Sequence, residues 1–203
     1  MKKYAVLHEP GDIVTLAGTR FVVLDVERRG SLPDSLFLLA LESVGASEFG
    51  SSNNYAESDL KKAVDKWLED MGKRGLDNAK LIPREIDLTT LDGSGCYGKL
   101  SVKAAPLTLD EAREYADIIP NAERWCWLAT GWSGPSKSDG DLALYVNSNG
   151  DWSSSSCSNS LGIRPALKIP SDLLLDSADK PDLSEVPTDT LLEEIRRRVV
   201  DKA

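Results

Sequence analysis

Four of the chain's five tryptophans, Trp125, Trp127, Trp132 and Trp152, fall within residues 124–169. The segments between the apolar runs there are almost wholly Ser, Gly, Asn and Asp. Rigid indoles beside short polar side chains are the mixture that recognition surfaces use. The rings give contact area at low entropic cost, and the small polar groups give adaptable hydrogen bonds. Trp132 and Trp152 lie outside the cleanest strand patterns, flanked by Ser and Gly. The expected binding residues are therefore Trp132, Ser133, Lys137, Asp139 and Asp141 in one loop, and Trp152, Ser153, Ser154, Ser155, Ser156 and Asn159 in the next. The chemistry is non-covalent recognition of a protein or glycan. The competing reading is that both indoles cover a sheet edge and the serines are filler.

Groups for covalent chemistry are scarce. His8 is the single histidine and reads as an ordinary surface or edge residue. No G-x-S-x-G, P-loop or H-E-x-x-H pattern is present, so no enzyme is expected. The three cysteines, Cys96, Cys126 and Cys157, are widely spaced without a CxxC pair, which argues against zinc. A reduced protein made in the cytoplasm is expected, with a single disulfide left open. Ser138-Asp139-Gly140-Asp141 with Asn147, Asn149 and Asp151 has the oxygen donors calcium wants. Those residue types are also the default formers of turns, and no cofactor is expected.

Positioning falls to short strands. Trp125, Trp127 and Ala129 alternate with Cys126 and Leu128, and Leu142, Leu144 and Val146 alternate with Ala143, Tyr145 and Asn147. Asn149-Gly150 is a two-residue hairpin signal, folding 142–148 back onto Asp151–Ser153. Ile163, Pro165 and Leu167 alternate with Arg164, Ala166 and Lys168 in a last strand, expected at an edge or bulged because Pro165 lacks an N–H. Upstream, Asp12–Ala17 and Arg20–Asp25 form a hairpin about Gly18-Thr19, and Leu36–Leu41 is a third strand. Residues 44–55 and 91–102 read as loops. Ser58 caps a helix whose Leu60, Ala63, Val64, Trp67, Leu68 and Met71 share one face, ended by Gly72 and Gly75, so Trp67 reads as core. Residues 79–88 are extended and broken by Pro83. Thr108-Leu109-Asp110-Glu111 is a capping box opening a helix to about Ile118, with Leu109, Ala112, Tyr115 and Ala116 on its buried side.

The Trp125-Cys126-Trp127-Leu128 strand, the Val146-Asn147-Ser148-Asn149-Gly150 turn and the Gly162-Ile163-Arg164-Pro165-Ala166-Leu167 run together resemble the DUF6273 family of bacterial and phage domains. The order of upstream elements matches as well, over residues 10–169. The resemblance implies an α+β domain of C-type-lectin-like fold, related to formylglycine-generating enzymes and to the variable proteins of diversity-generating retroelements. The paired late cysteines of the formylglycine-generating branch have no counterpart here, and neither does the Glu-Pro-Asn or Gln-Pro-Asp of sugar-binding lectins. A variable-protein origin implies diversified residues in the late loops, which suits 148–160.

Hydrophobic residues make up 41% and charged residues 28% of the 203, ordinary for a globular chain, and no segment reaches ~20 consecutive apolar residues. The formal charge of −9 argues against a nucleic-acid partner. Residues 1–169 are expected to form one domain. An acidic, Pro-containing tether is expected over 170–187 and an amphipathic helix over Thr188–Ala203, which is too short to be stable alone. That helix offers a second reading, in which the chain assembles or decorates a particle through it. The apolar run Tyr4–Leu7 is too short for a secretory signal, so cytoplasmic synthesis is expected. The resemblance to phage domains implies association with a virion or display on a particle.

Overall fold

A computed structural model of the chain describes residues 2–4, 8–29 and 32–176. In chain order the strands are β1 (Lys2–Tyr4), β2 (Ile13–Leu16), β3 (Thr19–Arg29), β4 (Leu32–Ala40) and β5 (Ala46–Glu48). A 3-10 turn (Tyr55–Glu57) and helix α1 (Asp59–Lys73) follow, then β6 (Arg84–Asp87), β7 (Lys99–Val102), β8 (Ala104–Ala105) and helix α2 (Leu109–Glu114). The late chain supplies β9 (Cys126–Gly131), β10 (Leu142–Val146), β11 (Trp152–Ser156), β12 (Ser160–Gly162), β13 (Ala166–Pro170) and β14 (Leu174–Asp176). The class is α+β, with mostly antiparallel sheets and two α-helices among the described residues. No helix among the described residues is long and apolar enough to cross a membrane.

Seven strands form one sheet in the order β1-β14-β2-β3-β4-β13-β8, and five form another in the order β11-β10-β9-β12-β5. Only β12 against β9 is parallel in these two sheets. Each sheet contributes residues from both of its faces to a core. On one face Phe21, Val23, Leu36 and Leu38 of the large sheet share a core with Trp127, Ala129, Ala143 and Tyr145 of the small one, and with Leu60, Val64 and Met71 of α1. On the other, Val22, Leu24 and Leu39 share a second core with Leu128 and Leu144, closed by Leu107 and Leu109 at the start of α2. That explains why all six residues of β9 are buried.

Local signals hold where capping chemistry sets them. The Ser58 hydroxyl accepts from Lys61 N–H at 2.9 Å, and α1 ends before Gly75, whose φ is +103°, while Gly72, also expected to end it, lies inside the helix. The capping box of α2 closes both ways, Glu111 N–H to Thr108 Oγ1 and Thr108 N–H to Glu111 Oε2. Trp67 packs against the first core, 6.3 Å from the Phe21 ring.

Several expectations give way. The first hairpin turns at Ala17-Gly18, both with positive φ, one residue earlier than Gly18-Thr19. Residues 44–55 carry the short strand β5, and 91–102 ends in β7. The last strand is not one strand. Gly162 ends β12 in the small sheet and Ala166 begins β13 in the large one, where β13 lies between β4 and β8 rather than at an edge. The chain changes sheets over Ile163-Arg164-Pro165, so the missing N–H of Pro165 falls between ladders. Its carbonyl still accepts from Ala40 N–H at 2.8 Å. Helix α2 stops at Glu114, and Ala116 is exposed rather than buried. The tether does not begin at 170: Pro170 closes β13, and Leu174–Asp176 pairs with both β1 and β2. The expected C-terminal helix lies outside the described residues.

Candidate functional site

The expected binding residues hang on β10 and its two neighbours. Register pairs Leu142 with Ser156, Leu144 with Ser154 and Val146 with Trp152. Residues 153–156 are therefore not loop but an edge strand, and their side chains alternate between faces. Trp152, Ser154 and Ser156 share the α2 face with Leu144 and Val146, while Ser153 and Ser155 share the opposite face with Tyr145 and Ala143. One surface presenting all four serines does not exist.

The two indoles also part company. Trp132 N–H donates to Leu142 O, at the start of β10, whereas Trp152 pairs with Val146 at its end. Four residue steps separate them by roughly 13 Å. The calcium candidate is split the same way, Asp139 and Asp141 before β10 and Asn147, Asn149 and Asp151 after it. Asn147 Oδ1 is moreover engaged by the N–H groups of Asn149 and Asp151 at 2.8 and 3.0 Å.

At the first end the structure is tied down. Trp132 is half-buried against the second core, and its carbonyl accepts from Asp92 N–H. Ser133 is buried. Asn53 is the clasp: its Nδ2 donates to Ser133 O and Leu142 O at 2.9 and 3.0 Å, and its Oδ1 accepts from Tyr97 at 2.6 Å. Gly131 is required there, because a Cβ would meet the Asn53 side chain at 2.9 Å. Lys137 pairs with Asp92, and that hydrogen bond holds the Asp92 carboxyl down at about 2. Cys157 donates its N–H to Asp141 O, and burial pushes its thiol up to about 12. Asn159 spends its Nδ2 on Ser155 Oγ at 2.8 Å. Asp139 and Asp141 remain exposed side chains on this loop.

The other end is open. Trp152 is 46% exposed, and the Arg113 guanidinium of α2 lies 4.8 Å over its ring. The turn joining β10 to β11 has three residues, Ser148-Asn149-Gly150, with only Gly150 left-handed at φ +90°. It is the bulged turn rather than the two-residue type expected from Asn149-Gly150. A Cβ on Gly150 would lie 2.9 Å from Asn121 Oδ1, so glycine lets the 119–122 loop close on the turn.

Between these elements opens a cleft of about 400 Å³. Its apolar floor is Ala112, Ala116, Ile119, Ala122 and Val146; its polar rim is Arg113, Asn121, Asn149 and Asp151; Trp152 forms one wall. This size lies within the range of small-ligand sites, which combine apolar surface with a few placed polar groups. Arg164 also lines it, although only 6% exposed. Its Nε donates to Ala40 O at 2.7 Å and its Nη1 to Pro120 O at 2.9 Å, while Nη2 has no hydrogen-bond partner among the described residues. Desolvation lowers its pKa from the ordinary arginine value. A smaller void of about 30 Å³ shares Ala112, Ile119, Ala122, Val146 and Arg164 with the cleft and reaches inward to Cys126 and Leu128.

Both late sequence runs therefore meet here, Val146 to Gly150 along one side and Arg164 below. Each also has a folding job. Gly162 admits Cys126, whose sulfur would lie 2.8 Å from an added Cβ, and Arg164 ties the sheet crossover to Pro120. Sequence reading missed Arg113, Asn121 and the site role of Arg164. Strand alternation put Arg164 on the same side as Lys168, and the chain breaks that alternation by changing sheets. The other exposed indole, Trp125, stacks on Tyr145 at 4.9 Å on the opposite face, away from this cleft.

All three cysteines are free thiols, with Cys96 exposed and Cys126 and Cys157 buried. Comparison with protein-family models, with curated proteins and with solved structures finds no match to this chain.

Proposed function

We propose that this chain is a non-catalytic ligand-binding module, and that its combining site is the cleft beside Trp152. The observation that carries this reading is the exposed indole of Trp152 standing over a cleft of about 400 Å³ with an apolar floor and a polar rim. A single exposed indole is ordinary on a protein surface, and it is the position of Trp152 on the wall of this cleft that supports the reading. Truncating an aromatic anchor of a binding site costs about 2 kcal/mol or more. The α+β architecture with its late hairpin is compatible with the C-type-lectin-like fold that the DUF6273 resemblance implies, and recognition of a glycan or protein displayed on a cell surface follows from that resemblance. The Trp132 loop plays a framing part.

The test is a screen of immobilised glycans and candidate proteins with the parent chain, Trp152→Ala and Trp132→Ala. Loss of the retained ligand in Trp152→Ala, at unchanged melting temperature, supports the reading. Equal retention by parent and Trp152→Ala removes the cleft from the account.

A further inference from the structure

Resting on that reading of the cleft, we infer that its ligand is an acidic saccharide, a sugar ring carrying a carboxylate. Three observations point the same way. The first is volume. About 400 Å³ holds one or two rings, not a folded epitope. The second is the pairing of surfaces. An indole wall and an aliphatic floor suit the C–H face of a pyranose, while Asn121, Asn149 and Asp151 are planar groups that pair with vicinal hydroxyls. The third is charge. The chain carries a formal −9, yet the cleft is lined by two guanidinium groups, Arg113 and Arg164, against the single carboxylate of Asp151.

The geometry of Arg113 is what a carboxylate needs. Lying over the Trp152 ring, the guanidinium is neutralised by no buried partner. Its ion pair with Asp110 spans 3.4 Å, and that aspartate side chain is 92% exposed. Such a surface pair is weak and easily exchanged. Arg113 already spends one N–H of its Nη1 on Asp110, but that long, exposed contact can be exchanged for a carboxylate, which an arginine fork matches with two parallel hydrogen bonds. Arg164 adds positive potential from the floor. It is over nine-tenths buried and fixed by the Ala40 and Pro120 carbonyls, and its Nη2 is left without a partner among the described residues. That Nη2 is itself buried, so Arg164 acts on the cleft through its charge rather than by a direct hydrogen bond, and that charge favours an anion over a neutral group. A neutral sugar would bring no charge to meet either guanidinium.

The experiment uses the full chain and matched probe pairs: oligogalacturonate against oligogalactose, and sialyllactose against lactose, titrated calorimetrically at low and high sodium chloride. The expected result is binding of at least one acidic member, at least tenfold tighter than its neutral match, with affinity falling as salt rises. Arg113→Gln is expected to erase the preference without lowering the melting temperature, and Trp152→Ala to abolish binding of both members. Equal affinity within the pairs, a preference that survives Arg113→Gln, or no retention of any acidic probe overturns the inference. If a protein ligand is retained instead, and Trp152→Ala releases it, the acidic-saccharide inference fails while the binding-module reading stands. If Trp152→Ala changes nothing that binds, both fail.

Discussion

The two ends of β10 are built from the same residue types and behave as opposites. At its start Trp132, Ser133 and the Cys157 turn are locked by Asn53, Asp92 and backbone bonds. At its end Trp152, Asn149 and Asp151 border an open cleft. Polar composition therefore does not by itself make a recognition surface. What decides is whether the small polar groups spend their hydrogen bonds inside the protein. Asn53 spends three on the frame, whereas at the far end Asn147 and Arg164 do the bracing and Arg113, Asn121 and Asn149 line the cavity.

The largest effect that sharpens this contrast is expected from Asn53→Ala. Ser133 O and the Tyr97 hydroxyl lose their Asn53 partner and Leu142 O keeps only Trp132 N–H, at about 3 kcal/mol of stability for the three bonds. Urea unfolding measures this, and a loss under about 1 kcal/mol would mean that the first end is not held by its clasp. Next, Trp132→Ala should cost about 2 kcal/mol, since its half-buried ring packs on the second core, and Trp152→Ala well under about 1 kcal/mol. A reversed order would break the comparison.

Gly150→Ala comes third, at about 1 kcal/mol, because alanine resists φ +90° and its methyl would press on Asn121. Thermal melting reads the cost, and ligand affinity should fall with it because the turn and Asn121 both line the cleft. The smallest effects concern pH, and they belong to the closed end. Asp92 has a depressed pKa, so its ion pair with Lys137 contributes fully above the ordinary aspartate range and is lost as pH falls toward about 2. Cys157 has a raised pKa, so its contribution is full below the ordinary thiol pKa and is lost as pH rises from there toward about 12. Hydrogen-exchange protection factors at residues 132–142, corrected for the intrinsic pH dependence of exchange, should therefore be greatest between those limits. Alkylation at mildly alkaline pH should modify Cys96 first and leave Cys126 and Cys157 protected.

Much of the frame was legible in the sequence because local chemistry determines it. Ser58 and Thr108 cap helices through their own side chains, and alternation in β9 and β10 survives burial on both faces. The fate of the serine run was not legible. Ser153–Ser156 has no strand propensity to speak of, and it is extended because Leu142–Val146 offers it a ladder. Arg164 was missed for a related reason, since a change of sheet at Pro165 has no local period. Ile119 and Asn121 were invisible as site residues because they reach the cleft only through the packing of a loop against a turn. Leu174–Asp176 hid behind its acidic surroundings, although Leu173-Leu174-Leu175 is an apolar run that a sheet edge can use.

The most direct test is chemical-shift mapping of the ligand that the screen retains, titrated into isotopically labelled full-length chain. The expected perturbations cluster at Arg113, Asn121, Asn149 to Trp152 and Arg164, with residues 132–141 unmoved. Perturbations confined to 132–141 and the Cys157 turn would contradict the account, because recognition would then occur at the end of β10 that the fold holds shut.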